Sequence, residues 1–210
     1  MKVALYGATG KSGSRILKEL VSRGHEVIAI TRGASRLPPS GPGVSVRHDD
    51  LSDAKKTAAA VEGAEAVVSA YAPPADNPDA LVGVTRLQVE ALARTSRARL
   101  VVVGGAGGLN VGPGVSLIDS GYLPEAYHPI AKAHVKAFDV LKASAANWTY
   151  LAPAAFFEPG ERTGRYRLGK DELIANAQQE SRISMEDYAV ALVDELETPR
   201  HQRQRFSVGY

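Results

Sequence analysis

Gly7, Gly10 and Gly13, spaced three and three in the run GATGKSG, constrain this chain more than any other feature. The apolar run Lys2 to Tyr6 precedes them and reads as a strand. Ser14 to Arg23 follows, with Ile16, Leu17, Leu20 and Val21 at helical spacing. Gly24 stops that helix, and Glu26 to Thr31 is a second strand. Strand, glycine turn, helix and strand within about thirty residues make a parallel crossover unit. In such a unit one glycine permits a tight turn, one lets backbone approach a pyrophosphate, and one lets helix pack on strand. The N–H groups at the helix start then bind the anion. Gly7, Thr9, Gly10, Lys11, Ser12 and Gly13 are therefore candidate cofactor-binding residues. The embedded Gly10-Lys11-Ser12 is not a P-loop, because Leu5 stands where that motif needs its first glycine.

The alternation continues along the chain. Val44 to Arg47 is a third strand, followed by a helix capped at Ser52 and stopped at Gly63. Ala66 to Ser69 is a fourth strand, and a Pro-rich loop leads to a helix from about Asp79 to Arg97. The unbroken apolar run Leu100 to Val103 reads as a strand buried on both faces. Leu109 to Tyr127 is irregular, Pro129 to Ser144 a helix, and Trp148 to Leu151 a sixth strand. Beyond Pro153 the spacing predicts short strands or a hairpin at 166–168 and 173–174, a helix at 185–196 and a last strand at 205–208. The expected fold is α/β: a three-layer, Rossmann-type doubly wound parallel sheet. With 210 residues, one domain over 1–210 is expected, residues 153–210 forming a small substrate-side extension.

Composition narrows the function classes. With no cysteine there are no thiolate nucleophiles, disulfides or thiolate metal sites. The five histidines are dispersed, so no metal centre is expected. The formal charge is only +2, and the basic run Arg200 to Arg205 is short, so nucleic-acid binding is not expected. No apolar stretch approaches the ~20 residues of a membrane span. The reading is a cytoplasmic protein, monomer or homodimer, whose partner is a small molecule.

Cofactor preference is read at the end of the second strand. NAD-specific sites usually place a carboxylate there for the ribose 2′-OH. Here the segment runs Thr31-Arg32, with Arg36 nearby and no acid from 31 to 36. A guanidinium suits a 2′-phosphate, so NADP(H) is favoured over NAD(H), with Arg32 as ligand. Asp50 and Leu51, after the third strand, are candidates to meet the adenine.

The stretches VALYGATGKSGSRI, HDDLSD, AVVSAYAP, LVVVGGAGGL, WTYLAPAAFFEPGERTGRYRLG and SRISMEDYAVALVDELE resemble the atypical short-chain dehydrogenase/reductases of the NmrA-like branch. Within it the chain is similar to small bacterial NADH–flavin reductases, over nearly its full length. The resemblance implies NADP(H) binding and reductase activity. It also implies that Ser69, Ala70, Tyr71, Gly104, Gly105 and Ala106 line the nicotinamide end, flanked by Pro153, Ala154 and Ala155.

A Tyr-x-x-x-Lys catalytic pair is absent. Tyr127 and Lys132 are five apart, offset by about 140° on a helix. Lys132, Tyr127 and His128 remain the candidate catalytic residues, with His134 a weaker donor. Reduction of a flavin relaxes the demand, because the final proton can come from water and the protein's task becomes positioning. FMN or FAD is then a substrate, with Tyr71, Tyr127, Phe156 and Phe157 available as flat walls. The expected function is hydride transfer from NADPH to a flavin, quinone or other flat acceptor. The alternatives are a non-catalytic NADP(H) sensor of NmrA type, or a sugar-nucleotide epimerase-like enzyme.

Overall fold

A computed structural model describes residues 1–33, 41–95 and 98–210. The crossover unit read from the sequence forms as β1 (Lys2–Tyr6), α1 (Lys11–Ser22) and β2 (Glu26–Thr31). β3 (Val44–His48), α2 (Ala54–Ala60), β4 (Ala66–Ser69), α3 (Ala80–Thr95) and β5 (Arg99–Val103) repeat it. β6 (Asn110–Gly112) and β7 (Val115–Ser116) form a small antiparallel pair inside the irregular segment. A 3₁₀ turn, Glu125–Tyr127, runs into α4 (His128–Ala143), and β8 (Trp148–Pro153) follows. The C-terminal portion holds β9 (Phe156–Glu158), β10 (Arg167–Gly169), β11 (Arg182–Ser184), α5 (Met185–Glu197) and β12 (Gln204–Gly209).

Eight strands make one sheet in the order β10-β12-β8-β5-β4-β1-β2-β3, parallel throughout except for β10 against β12. Reversal of strand order around β1 and β4 opens a crevice at the carboxyl edge, which is where such sheets bind ligands. Helices cover both faces. Ile16, Leu17 and Leu20 of α1 and Tyr188, Leu192 and Leu196 of α5 pack against Val3, Leu5, Val68 and Leu151. On the other face Ala60, Leu92 and Leu141, from α2, α3 and α4, meet Ala4, Ile28, Val67, Val102 and Trp148. The central strands are mostly apolar because neither face meets water, and their buried polar residues include Ser69, Arg99 and Thr149. This is the doubly wound, three-layer arrangement that the alternation predicted.

Three expectations need correction. The cap of α2 is Asp53 rather than Ser52: its Oδ1 accepts from the amides of Lys55 at 2.7 Å and Lys56 at 3.2 Å. Ser52 instead donates its hydroxyl to Asp50 at 2.5 Å. Residues 166–168 and 173–174 do not form a hairpin. β10 pairs with the distant β12, and Leu173 gives its amide to Asn110 at 2.8 Å. Phe156–Glu158 and Arg182–Ser184, where the spacing predicts no strand, pair in parallel. Arg36 lies outside the described residues, as do 38–40.

The runs GERTG and SRISMED turn out to be two halves of a clasp. Glu186 accepts the Gly160 amide at 2.7 Å and Arg15 of α1 at 2.8 Å. Arg162 clamps Glu19 of α1 through two 2.8 Å bonds. Fully buried Asp187 accepts from the Gly164 amide at 2.7 Å, Thr163 at 2.6 Å and Tyr210 at 2.7 Å. Residues 160–164 are thereby tied to both helices of one face, so the carboxylates carry structure there. Asp187→Asn should cost about 1–2 kcal/mol, because an amide cannot accept all three bonds without leaving its own N–H groups unpaired. Urea unfolding checks this; an unchanged midpoint would remove Asp187 from the clasp.

Candidate functional site

The glycine loop sits where β1 meets α1, and each glycine has a distinct reason. Gly7 has φ +77°, and a Cβ there would lie 2.2 Å from the Ala70 carbonyl oxygen. A Cβ on Gly13 would lie 2.0 Å from the Gly7 carbonyl oxygen, so Gly13 is what lets α1 pack on the turn. Gly10 differs. The single atom within 4 Å of its Cβ position is the Gly7 oxygen at 3.2 Å, which leaves its outer side open to a ligand. Gly10 also caps α1, with no side-chain bond to the helix amides and no acid in the first turn. A helix start with free N–H groups carries a partial positive charge and favours an anion.

Above this loop lies a cleft of about 540 Å³ lined by Tyr6, Gly7, Thr9, Gly10, Ile30, Thr31, Arg32, Gly33, Leu51, Ala70, Tyr71 and Ala72. No carboxylate lines it among the described residues. Arg32 ends β2 on one side of the loop and Tyr71 follows β4 on the other. The Arg32 guanidinium rests over the Tyr71 ring, 5.5 Å from its centre. Tyr71 also packs against the cluster of Leu81, Ala133 and Ala137, so it joins the cleft to α3 and α4.

Asp49 and Asp50 differ in burial, and neither lines the cleft. Asp49 is buried; it accepts the Tyr6 hydroxyl at 2.7 Å and the Leu51 amide at 2.9 Å. Burial and this carboxylate push the Tyr6 phenol well above its ordinary range. The Asp49 bond holds Leu51 at φ +57°, a conformation uncommon for leucine, with Leu51 in the cleft wall. Asp50 is exposed and bonds Ser52 and Lys56; the Ser52 hydroxyl and amide hold its carboxyl below the usual carboxylate range. It lines a neighbouring depression with His48 and Lys56 instead of the cleft.

Gly104 and Gly105, after β5, have a packing cause. A Cβ on Gly104 would meet the Tyr150 ring at 2.3 Å, and one on Gly105 the His134 ring at 2.8 Å. The Tyr150 hydroxyl accepts the Gly105 amide at 2.9 Å and sits 3.3 Å from His134 Nδ1. Burial pushes the His134 imidazole down to about 4 and the Tyr150 phenol upward. This pair, which the sequence did not single out together, fixes the loop after β5. The unfolded chain binds a proton at His134 near pH 6.5 and the folded chain only near pH 4, so stability should fall as pH drops through that window. Urea midpoints across it check the sign, and His134→Gln should flatten the dependence.

The candidate catalytic residues cluster at the start of α4. Tyr127 is exposed on the 3₁₀ turn, and His128 bonds the Leu123 carbonyl through Nε2 at 3.0 Å. Lys132 is exposed one turn on. No hydrogen bond links the three among the described residues. Lys136 and Lys142 are paired, with Asp79 at 2.9 Å and Asp139 at 2.8 Å, whereas Lys132 has no ion pair among the described residues. Pro153 ends β8, buried. Phe157 packs on Tyr188 with ring centres 4.7 Å apart, leaving Phe156 as the exposed wall.

Known proteins carry the same architecture. The chain is 40% identical to the uncharacterized protein YwnB of Bacillus subtilis, covering 99% of this chain and 98% of that one. A structure of a candidate epimerase from Bacteroides thetaiotaomicron superposes with TM-score 0.92 at 38% identity, covering 100% of this chain and 96% of that one. A candidate NADH-flavin reductase from Streptococcus pneumoniae superposes with TM-score 0.90 at 36% identity, covering 100% and 99%. Among the described residues no helix is long and apolar enough to cross a membrane. A model of the NAD(P)H-binding family matches residues 7–199, from the first glycine of the loop to the end of the C-terminal helix region, and the chain therefore belongs to that family, with an oxidoreductase-like Rossmann fold.

Proposed function

We propose that this protein is an NADPH-dependent reductase that delivers hydride to a flavin, a quinone or another flat acceptor. One observation carries the cofactor reading: a single cleft joins an uncapped helix start to an arginine and contains no carboxylate among the described residues. The free amides of α1 suit the pyrophosphate, and Arg32 suits a 2′-phosphate that a carboxylate would repel. NADPH, when bound, supplies the hydride from its nicotinamide ring.

The chain's own residues then bind and orient. Gly10 leaves room for the pyrophosphate, and Leu51 and Ile30 give the adenosine an apolar wall. Gly104 and Gly105, held by Tyr150 and His134, keep side chains out of the space after β5. Lys132 is the free cation at the start of α4 for a ribose, a phosphate or a proton. The exposed rings of Tyr127 and Phe156 suit a flat acceptor, whose reduction needs positioning more than a buried acid. The resemblance to a candidate NADH-flavin reductase supports this acceptor class.

Purified protein should oxidise NADPH only when FMN, FAD or a quinone is supplied. Tight NADP binding without turnover across that panel would replace the reductase by a redox sensor. Cofactor that co-purifies and does not exchange would instead favour the epimerase chemistry named for the Bacteroides relative.

A further inference from the structure

The basic run Arg200 to Arg205 finds no role in the nucleotide cleft. It borders a separate groove of about 540 Å³. Trp148 and Gln204, which line this groove, are the first residues of β8 and β12. Both strands run parallel to β1 and β4, whose last residues abut the cleft, so the groove opens at the other edge of the sheet. The cause lies in the sheet order. β12 lies outside β8, and Arg205 pairs in register with Tyr150 on the face that α4 covers. Arg205 lies in β12 against the Phe138 ring of α4, and the exposed Arg203 stands just before the strand.

The groove is lined by Lys142, Lys170, Arg200, Arg203, Arg205 and His201 against a single acid, Asp171. Asp171 is committed to Arg205 at 2.6 Å, and Lys142 to Asp139 at 2.8 Å. Arg203 donates to the Ser144 carbonyl at 3.0 Å. Lys170 and Arg200 are exposed and make no ion pair among the described residues. A second observation is independent of charge. Trp148, 3% exposed, lines the groove, and its buried Nε1–H has no hydrogen-bond partner among the described residues. Buried polar groups are rarely left unpaired, so an acceptor that enters beside the ring would meet an unsatisfied donor. The Phe138 ring below holds Lys142 at 5.1 Å and Arg205 at 4.7 Å in cation–π contacts, which keeps both cations at the groove.

We propose that this groove is a second binding site, for a small phosphorylated molecule. Phosphate oxygens accept from guanidinium forks and from an indole N–H, and the volume suits a small ligand. A net charge of only +2 on the chain argues against nucleic acid, because the positive charge is concentrated in a concavity instead of spread along a face.

Trp148 is the chain's single tryptophan, so its fluorescence reports on this groove and not on the nucleotide cleft. Titration with inorganic pyrophosphate should give a saturable change, unaltered by prior saturation with NADP. The double variant Lys170→Ala/Arg200→Ala, which removes two exposed cations, should weaken pyrophosphate about tenfold or more. Any one of four results would overturn the site: no saturable change, an equal change from sodium chloride at matched ionic strength, an unaffected variant, or abolition by NADP. A single-stranded oligonucleotide that displaces pyrophosphate and binds more tightly would overturn it in favour of nucleic acid.

Discussion

Gly13→Ala is expected to lower the melting temperature by about 6–12 °C, from a loss of about 3 kcal/mol. The added methyl would lie 2.0 Å from the Gly7 carbonyl oxygen, a backbone atom that cannot rotate away. Either α1 lifts from the turn or the turn moves, and α1 carries Ile16, Leu17 and Leu20 in the core. Gly10→Val makes the opposite test. The Gly10 φ of −78° is ordinary, and its Cβ position meets only the Gly7 oxygen at 3.2 Å. Its folding cost should stay near about 1 kcal/mol, while binding of both NADPH and NADH falls at least about a hundredfold, since the side chain fills the pyrophosphate's place. Thermal unfolding and cofactor titration of the two variants separate the roles. A Gly10→Val protein with undiminished cofactor affinity would mean that the loop is not the pyrophosphate site.

Arg32→Ala should weaken NADPH by about 1.5–3 kcal/mol, which is about ten- to 150-fold, and change NADH by less than about threefold. The asymmetry follows from what each cofactor carries. Only NADPH has the 2′-phosphate, and only a charged partner is lost. Before binding, the guanidinium lies over Tyr71 at 5.5 Å, an exposed contact of about 0.5–1 kcal/mol that a phosphate exceeds. Dissociation constants for both cofactors, on both proteins, decide the matter. Equal losses would show that Arg32 supports the cleft generally without reading the phosphate.

Much of the site was legible because its information is local. The three glycines, the strand before them and the helix after them occupy adjacent positions, so spacing alone assigned them. Arg32 was legible for the same reason: it ends a strand whose partner strand was already recognised. Asp49 and Asp50 were not separable in this way. Both follow the end of β3, and the bond that buries Asp49 comes from Tyr6, 43 residues away. The glycines at 104 and 105 were visible as glycines. Their cause, the rings of Tyr150 and His134, lies on two later elements.

The sequence by itself determined the parallel α/β architecture and the glycine turn between β1 and α1, because hydrophobic period and glycine spacing act within a few residues. Tertiary structure alone decided the outcome after Pro153. There β10 joins the distant β12, and β9 joins β11 across 26 residues. The acids of one helix start clasp residues 160–164, and the start of β12 borders a cationic groove. Those arrangements rest on polar pairs and strand partners remote in the chain. Polar pairing carries no period, and short strands a few residues long bury too little to declare their partners in advance.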